Sequence, residues 1–187
     1  MRTPGPPGRV MDTSLDEVWA LLDAVVDPEI PVVTLRELGI LRDVRRGPQG
    51  LEVVITPTYS GCPAMEQMAD DVRSALHRHG LQGTVVTQLA PAWTTDWISQ
   101  AAREKLRAYG ITPPQAACAP SARSGHETAQ ERVLRFMPGA ATSQPAVTCP
   151  RCGSLNTFES SRFGSTACKA LYKCASCQEP FDYFKPY

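Results

Sequence analysis

Apolar residues recur along this chain at two spacings, one helical and one alternating, and the changes between them mark its elements. Leu15, Val18, Trp19, Leu22, Val25 and Val26 fall at helical spacing behind Ser14-Leu15-Asp16-Glu17, which reads as a capping box. This first helix is expected to stop near Asp27-Pro28-Glu29-Ile30-Pro31, because two prolines so close together cannot continue it. Residues 38–44 and 51–55 read as strands, with 45–50 as a hairpin connection. Met65, Met68, Val72, Ala75 and Leu76 predict a second helix ending at Gly80, and residues 84–89 a third strand. A Thr94/Thr95/Asp96 cap then opens a helix bearing Trp97, Ile98, Ala101, Leu106 and Tyr109, which closes at Gly110. The order α-β-β-α-β-α describes a small α+β domain over residues 13–110, with helices packed on a short sheet.

Composition then changes. Residues 111–147 are rich in Pro, Ala, Ser and Gly and read as a linker, with Cys118 incidental inside it. Residues 1–12 lack the apolar stretch of a secretory signal and read as a disordered lead-in. A length of 187 residues holds one ordinary domain plus a small module, here 148–187. Nineteen basic side chains balance nineteen acidic ones, which argues against a nucleic-acid or membrane-surface partner. No long uncharged apolar segment predicts a transmembrane helix.

Seven cysteines shift attention to metal. Cys149-Pro150-Arg151-Cys152 and Cys174-Ala175-Ser176-Cys177 give Cys-x-x-Cys twice, which points to a reducing, cytoplasmic setting and a Cys₄ ion rather than a disulfide framework. The separation of the pairs slightly exceeds that usual in a zinc ribbon but is compatible with one. So short a tail cannot bury a sufficient core, so the ion would supply folding free energy directly. Zinc is the first choice, with a rubredoxin-like iron as runner-up on the same ligand set. Four cysteine ligands make a closed, structural site. Cys168, between the pairs, is an extra thiol that could be a spare, an alternative ligand or a reactive group. The closing aromatics, Phe181, Tyr183, Phe184 and Tyr187, either complete the small core or form a docking surface.

A different cysteine ends the loop Thr56-Pro57-Thr58-Tyr59-Ser60-Gly61-Cys62-Pro63 between the second strand and the second helix. At a helix start, backbone N–H groups and the helix dipole favour the thiolate, the form that binds metal or attacks an electrophile. The plain alternative is an inert cysteine buried in a tight turn. Asp27 and Glu29 read either as turn residues or as acceptors near that loop. His77 and His79 suit the end of a helix.

Asp27-Pro28-Glu29 followed by Thr56-Pro57-Thr58-Tyr59-Ser60-Gly61-Cys62-Pro63 resembles the MIP18-type iron–sulphur assembly domain, formerly DUF59. Phe163-Gly164-Ser165-Thr166-Ala167-Cys168-Lys169-Ala170-Leu171-Tyr172-Lys173-Cys174 and Glu179-Pro180-Phe181-Asp182-Tyr183-Phe184-Lys185, with Asp96-Trp97, are similar to the D-type accessory family of the phenylacetyl-CoA 1,2-epoxidase system. The resemblance implies a bacterial cytoplasmic protein of aerobic phenylacetate breakdown, accessory to a di-iron oxygenase and to a reductase carrying flavin and a [2Fe–2S] cluster. It implies a transient iron or Fe–S cluster at Cys62, with Asp27 and Glu29 nearby, and the oxygenase and reductase components as partners. A homodimer would let a second chain add a ligand. The chain itself carries no Glu-x-x-His pair and no Gly-x-Gly-x-x-Gly fingerprint, in keeping with a non-enzymatic, maturation role. The alternative is a structural or regulatory adaptor that binds through its ribbon. A thiol enzyme acting on a CoA thioester would need a base beside Cys62, and no histidine is obviously placed for that. One departure is Pro186-Tyr187, where some relatives carry a further cysteine.

Overall fold

The computed structural model describes residues 13–48, 50–114 and 146–187; the lead-in at 1–12, most of the stretch read as a linker, and Cys118 lie outside them. Helix α1 spans Leu15–Leu22, and both halves of its capping box form, Glu17 N donating to Ser14 Oγ at 3.2 Å and Ser14 N to Glu17 Oε2 at 2.8 Å. It ends well before the prolines. Asp23 is its C-cap, and Val25 and Val26 leave the helix to meet the chain returning at Thr34 and Leu35.

Strands β1 (Leu41–Gly47) and β2 (Gly50–Ile55) pair antiparallel across a tight turn at Pro48, with a register shift between Leu41 and Asp43. The strand expected from residue 38 starts later because Gly39 turns the chain at φ 71°, and a Cβ there would lie 2.5 Å from Trp97 Cβ. Helix α2 (Met65–Arg78) carries the chain from β2 to β3 (Gly83–Thr87), which lies parallel to β2. Sheet order is therefore β1-β2-β3, and the apolar faces of α1 and α2 cover it through Val18, Leu22, Met68, Val72 and Leu76.

Thr94 does cap, but only a 3₁₀ turn at Thr95–Trp97; Ser99 accepts from Ala102 N at 3.1 Å and opens helix α3 (Gln100–Tyr109). That shift buries Ala102 and Leu106 and leaves Tyr109 exposed. Gly110, at φ 94°, ends the helix as expected.

Ile111 and Thr112, the first residues of the stretch read as a linker, form β4 and pair parallel with β7 (Pro180–Phe184). Strands β5 (Thr157–Ser161) and β6 (Lys169–Cys174) complete a second sheet of order β4-β7-β6-β5. Its small core holds Val147, Ala170, Tyr172, Phe181 and Tyr183, with Tyr172 ring centroids 5.9 Å from Phe181 and 5.4 Å from Tyr183. Phe184 and Cys168 instead join the core of the first domain. Phe184 lies 5.9 Å from Trp93, whose indole N–H donates to Leu38 O at 3.0 Å, and Tyr187 lies 6.3 Å from the same ring. The closing aromatics thus both fill the ribbon and fasten it to the α+β domain.

Candidate functional site

Two sulfur clusters stand out. In the ribbon, the Sγ atoms of Cys149, Cys152, Cys174 and Cys177 all lie within 4.8 Å of one another. Cys149 and Cys177 are 3.8 Å apart, Cys152 and Cys174 3.6 Å. Each pair sits in a tight turn closed by an amide: Gly153 N donates to Cys149 O, and Gln178 N to Cys174 O, both at 3.0 Å. The turning residues are Gly153 at φ 74° and Gln178 at φ 65°. The Ser154 and Ser176 hydroxyls, 2.8 Å apart, join the two knuckles. Four thiolates held at about 2.3 Å from a central zinc would be about 3.8 Å apart, so these two pairs already stand at tetrahedral spacing. The protein's own charges do not favour four thiolates together. The amides of Cys177 and Ser176 pull Cys174 down to about 6. Ser154 N pulls Cys152 the same way, but the neighbouring Cys174 sulfur, burial and the other thiols carry it up to about 12. A cation among them resolves that conflict, and the donor set fits a thiophilic metal ion.

The second cluster is assembled from four separated segments. Cys62 is half-buried, two residues ahead of the α2 N-cap, which is Ala64 and makes no side-chain cap bond. The thiolate expected of a cysteine at a helix mouth is not favoured here. Burial raises the Cys62 thiol above its ordinary value, helped by the charges of Glu29 and Asp27, and outweighs the opposing amides of Ala64 and Met65. The sulfur is nevertheless not sealed away from acidic groups. It shares with Asp27, Glu29, Thr58, Cys168 and Phe184 the wall of a cavity of about 10 Å³.

Asp27 is buried, and its Oδ1 accepts from the amides of Glu29 and Ile30, each at 2.8 Å. Burial pushes its carboxyl up against those two bonds and the charge of Lys169. Glu29 is pushed up by burial and by Asp27, and held down by Lys169 and the Thr166 hydroxyl. From the ribbon come Cys168, 6% exposed with its sulfur 3.0 Å from Thr166 Oγ1, and Lys169, whose buried amine is 3.4 Å from Asp182 Oδ2. Burial raises Cys168 too, with Glu29 and Asp27 adding to it and Thr166 and Lys169 opposing.

The structure therefore brings Cys62, Asp27, Glu29 and Cys168 together and keeps Cys149, Cys152, Cys174 and Cys177 as a separate group. Sequence reasoning missed Lys169 and Thr166. Only their closeness in the chain to Cys168 could have raised them, since a lysine in a strand carries no periodic sign of burial. Among the described residues, the ribbon's four cysteines are the only group of three or more ligand-type side chains placed to hold a metal ion.

Fold and site define a class: an iron–sulphur assembly-type α+β domain bearing a cysteine–carboxylate pocket, joined to a four-cysteine β-ribbon. Residues 15–89 match the sequence model of the family described as iron-sulfur cluster assembly protein, and residues 137–185 that of the PaaD zinc beta ribbon domain. A protein of Escherichia coli (strain K12), provisionally named as the D-type component of 1,2-phenylacetyl-CoA epoxidase, is 49% identical over 170 residues, 90% of this chain and 91% of that protein. An Fe-S protein maturation auxiliary factor of Porphyromonas gingivalis is 32% identical over 94 residues, covering 49% of this chain and 89% of the relative. A crystallised DUF59 domain from Bacillus anthracis aligns at a TM-score of 0.45 and 28% identity, covering 49% of this chain and 89% of that one. The chain belongs to the family of D-type 1,2-phenylacetyl-CoA epoxidase subunits.

Proposed function

We propose that this chain is a non-enzymatic accessory component of the phenylacetyl-CoA epoxidase system, working in the cytoplasm in phenylacetate breakdown. Its α+β half holds iron in transit at Cys62, with Asp27 and Glu29, for the oxygenase or its reductase. Its ribbon holds zinc permanently at Cys149, Cys152, Cys174 and Cys177. The observation carrying this reading is the meeting of Cys62 with two carboxylates from a distant turn in one cavity, in a half-chain whose relative is named an Fe-S maturation factor. A cargo site has to release what it binds. Half-buried sulfur beside carboxylates that burial has already made easier to protonate suits release better than a closed Cys₄ cage. The test is to produce the oxygenase and reductase together with the Cys62→Ala chain. The account expects soluble chain with intact ribbon zinc and client proteins short of iron; clients carrying full iron would count against it.

Phe158, Phe163 and Tyr187 favour a second reading, because they leave large aromatic surface exposed on the ribbon. On that view the chain is an adaptor for the oxygenase complex and Cys62 is a packed turn residue. Truncation before Cys149 would then abolish capture of the oxygenase while Cys62→Ser left it and client iron unchanged.

A further inference from the structure

Cys168 is a sulfur donor in the Cys62 pocket that the ribbon supplies. We infer that the pocket takes a single ferrous-type ion rather than a preformed cluster, and that Cys168 is its second sulfur ligand, so that the site is complete only when the ribbon is docked. This deepens the iron-handling reading and rests on it.

Size comes first. A cavity of about 10 Å³ is at the threshold for one water molecule, which suits one ion, whereas a cluster of several irons and sulfides would require the walls to part widely. The donor set points the same way. Two thiols and two carboxylates mix soft and hard ligands, a combination suited to a borderline divalent ion and poorly suited to magnesium or calcium. Charge agrees. Asp27, Glu29 and Asp182 face one lysine, Lys169, so the surroundings remain acidic before either sulfur is counted. Position agrees as well. Both hydrogen bonds to Asp27 use Oδ1, which leaves Oδ2 as a donor for a ligand, and Thr166 Oγ1 fixes the Cys168 sulfur from 3.0 Å.

Among the described residues, only the ribbon's four sulfurs already form a group placed to hold a metal ion, so the pocket's donors have to draw together to share one. Binding therefore draws the connection between β5 and β6, residues 162–168, towards the Cys62 loop, and retreat of the ribbon opens the site for release. Neither sulfur changes oxidation state in this scheme; the ion enters as protons leave its ligands.

The test is an anaerobic titration of the full-length, zinc-loaded chain with ferrous iron, followed by X-ray absorption at the iron edge, where ribbon zinc is invisible. The wild-type chain should bind one iron with two sulfur neighbours. Cys168→Ser and Cys168→Ala should keep ribbon zinc, show one sulfur neighbour, and bind iron roughly tenfold or more weakly. Hydrogen exchange over residues 162–168 should slow with iron in the wild type and stay unchanged in both variants. One sulfur neighbour in the wild type, or multi-iron binding with sulfide, would overturn the inference while leaving the transit role of Cys62 standing, provided Cys62→Ser still abolishes binding. Iron uptake indifferent to Cys62 would overturn both.

Discussion

The two sulfur sites of this molecule are built in opposite ways. The ribbon site takes its four donors from two short turns, each closed by its own amide hydrogen bond, and the sulfurs already stand close to tetrahedral spacing. The pocket at Cys62 takes its donors from a loop, a distant turn and the ribbon's β5–β6 connection, and burial makes each harder to ionise. One arrangement is suited to holding an ion for the life of the fold. The other is held together by packing, chiefly Phe184 and Trp93, and its buried acids are a local cost that the fold tolerates.

Breaking the ribbon site should have the largest effect. Structural zinc contributes on the order of 10–16 kcal/mol in zinc-finger peptides, so Cys174→Ser should lose the zinc and the protection of amides in β5, β6 and β7. Residues of α1, α2 and β2 should stay protected in the same hydrogen-exchange experiment. Next comes the fastening between the regions. Phe184→Ala removes a fully buried ring at a cost of about 3–5 kcal/mol, and faster alkylation of Cys62 and Cys168 would report the loosened ribbon.

Asp27 separates fold from function at the pocket. Asp27→Ala leaves the amides of Glu29 and Ile30 unpaired and should cost about 1–3 kcal/mol in denaturant unfolding. Asp27→Asn keeps an acceptor and removes the buried charge, so it should be at least as stable as wild type at neutral pH and lose iron binding. The pH dependence has a definite sign. Because the folded state raises the Asp27 carboxyl, it binds that proton more tightly than the unfolded chain does. Without iron, wild type should gain stability relative to Asp27→Asn as pH falls from neutral towards the ordinary carboxylate range. The smallest effect is expected at Thr56, whose buried hydroxyl has no hydrogen-bond partner among the described residues. Thr56→Val should raise stability by about 1 kcal/mol, read from the unfolding midpoint.

The same contrast governs what can be read from the chain. The ribbon's ligands lie in two local motifs, so spacing alone identifies Cys149, Cys152, Cys174 and Cys177 as a group. The capping box at Ser14 and the C-terminal glycines at 80 and 110 are likewise local and legible. The early end of α1 is not, because the departure of Val25 and Val26 depends on their pairing with a strand-like segment that the sequence does not advertise. The convergence of Cys168 on Cys62, and of Lys169 on Asp27 and Glu29, depends on how β7 docks, and no periodicity encodes that. Cys62 itself is found by motif, but its acidity is not: the helix mouth is visible in the sequence, whereas burial and two carboxylates arriving from residues 27–29 are not.

The most direct test of a resident metal beside a transient one is a chelator challenge of the full-length chain loaded with zinc in the ribbon and ferrous iron in the pocket, both metals counted over time. The account requires iron to leave early and zinc to stay, with Cys62→Ser never retaining the iron. Zinc and iron departing together, or iron outlasting zinc, would contradict it.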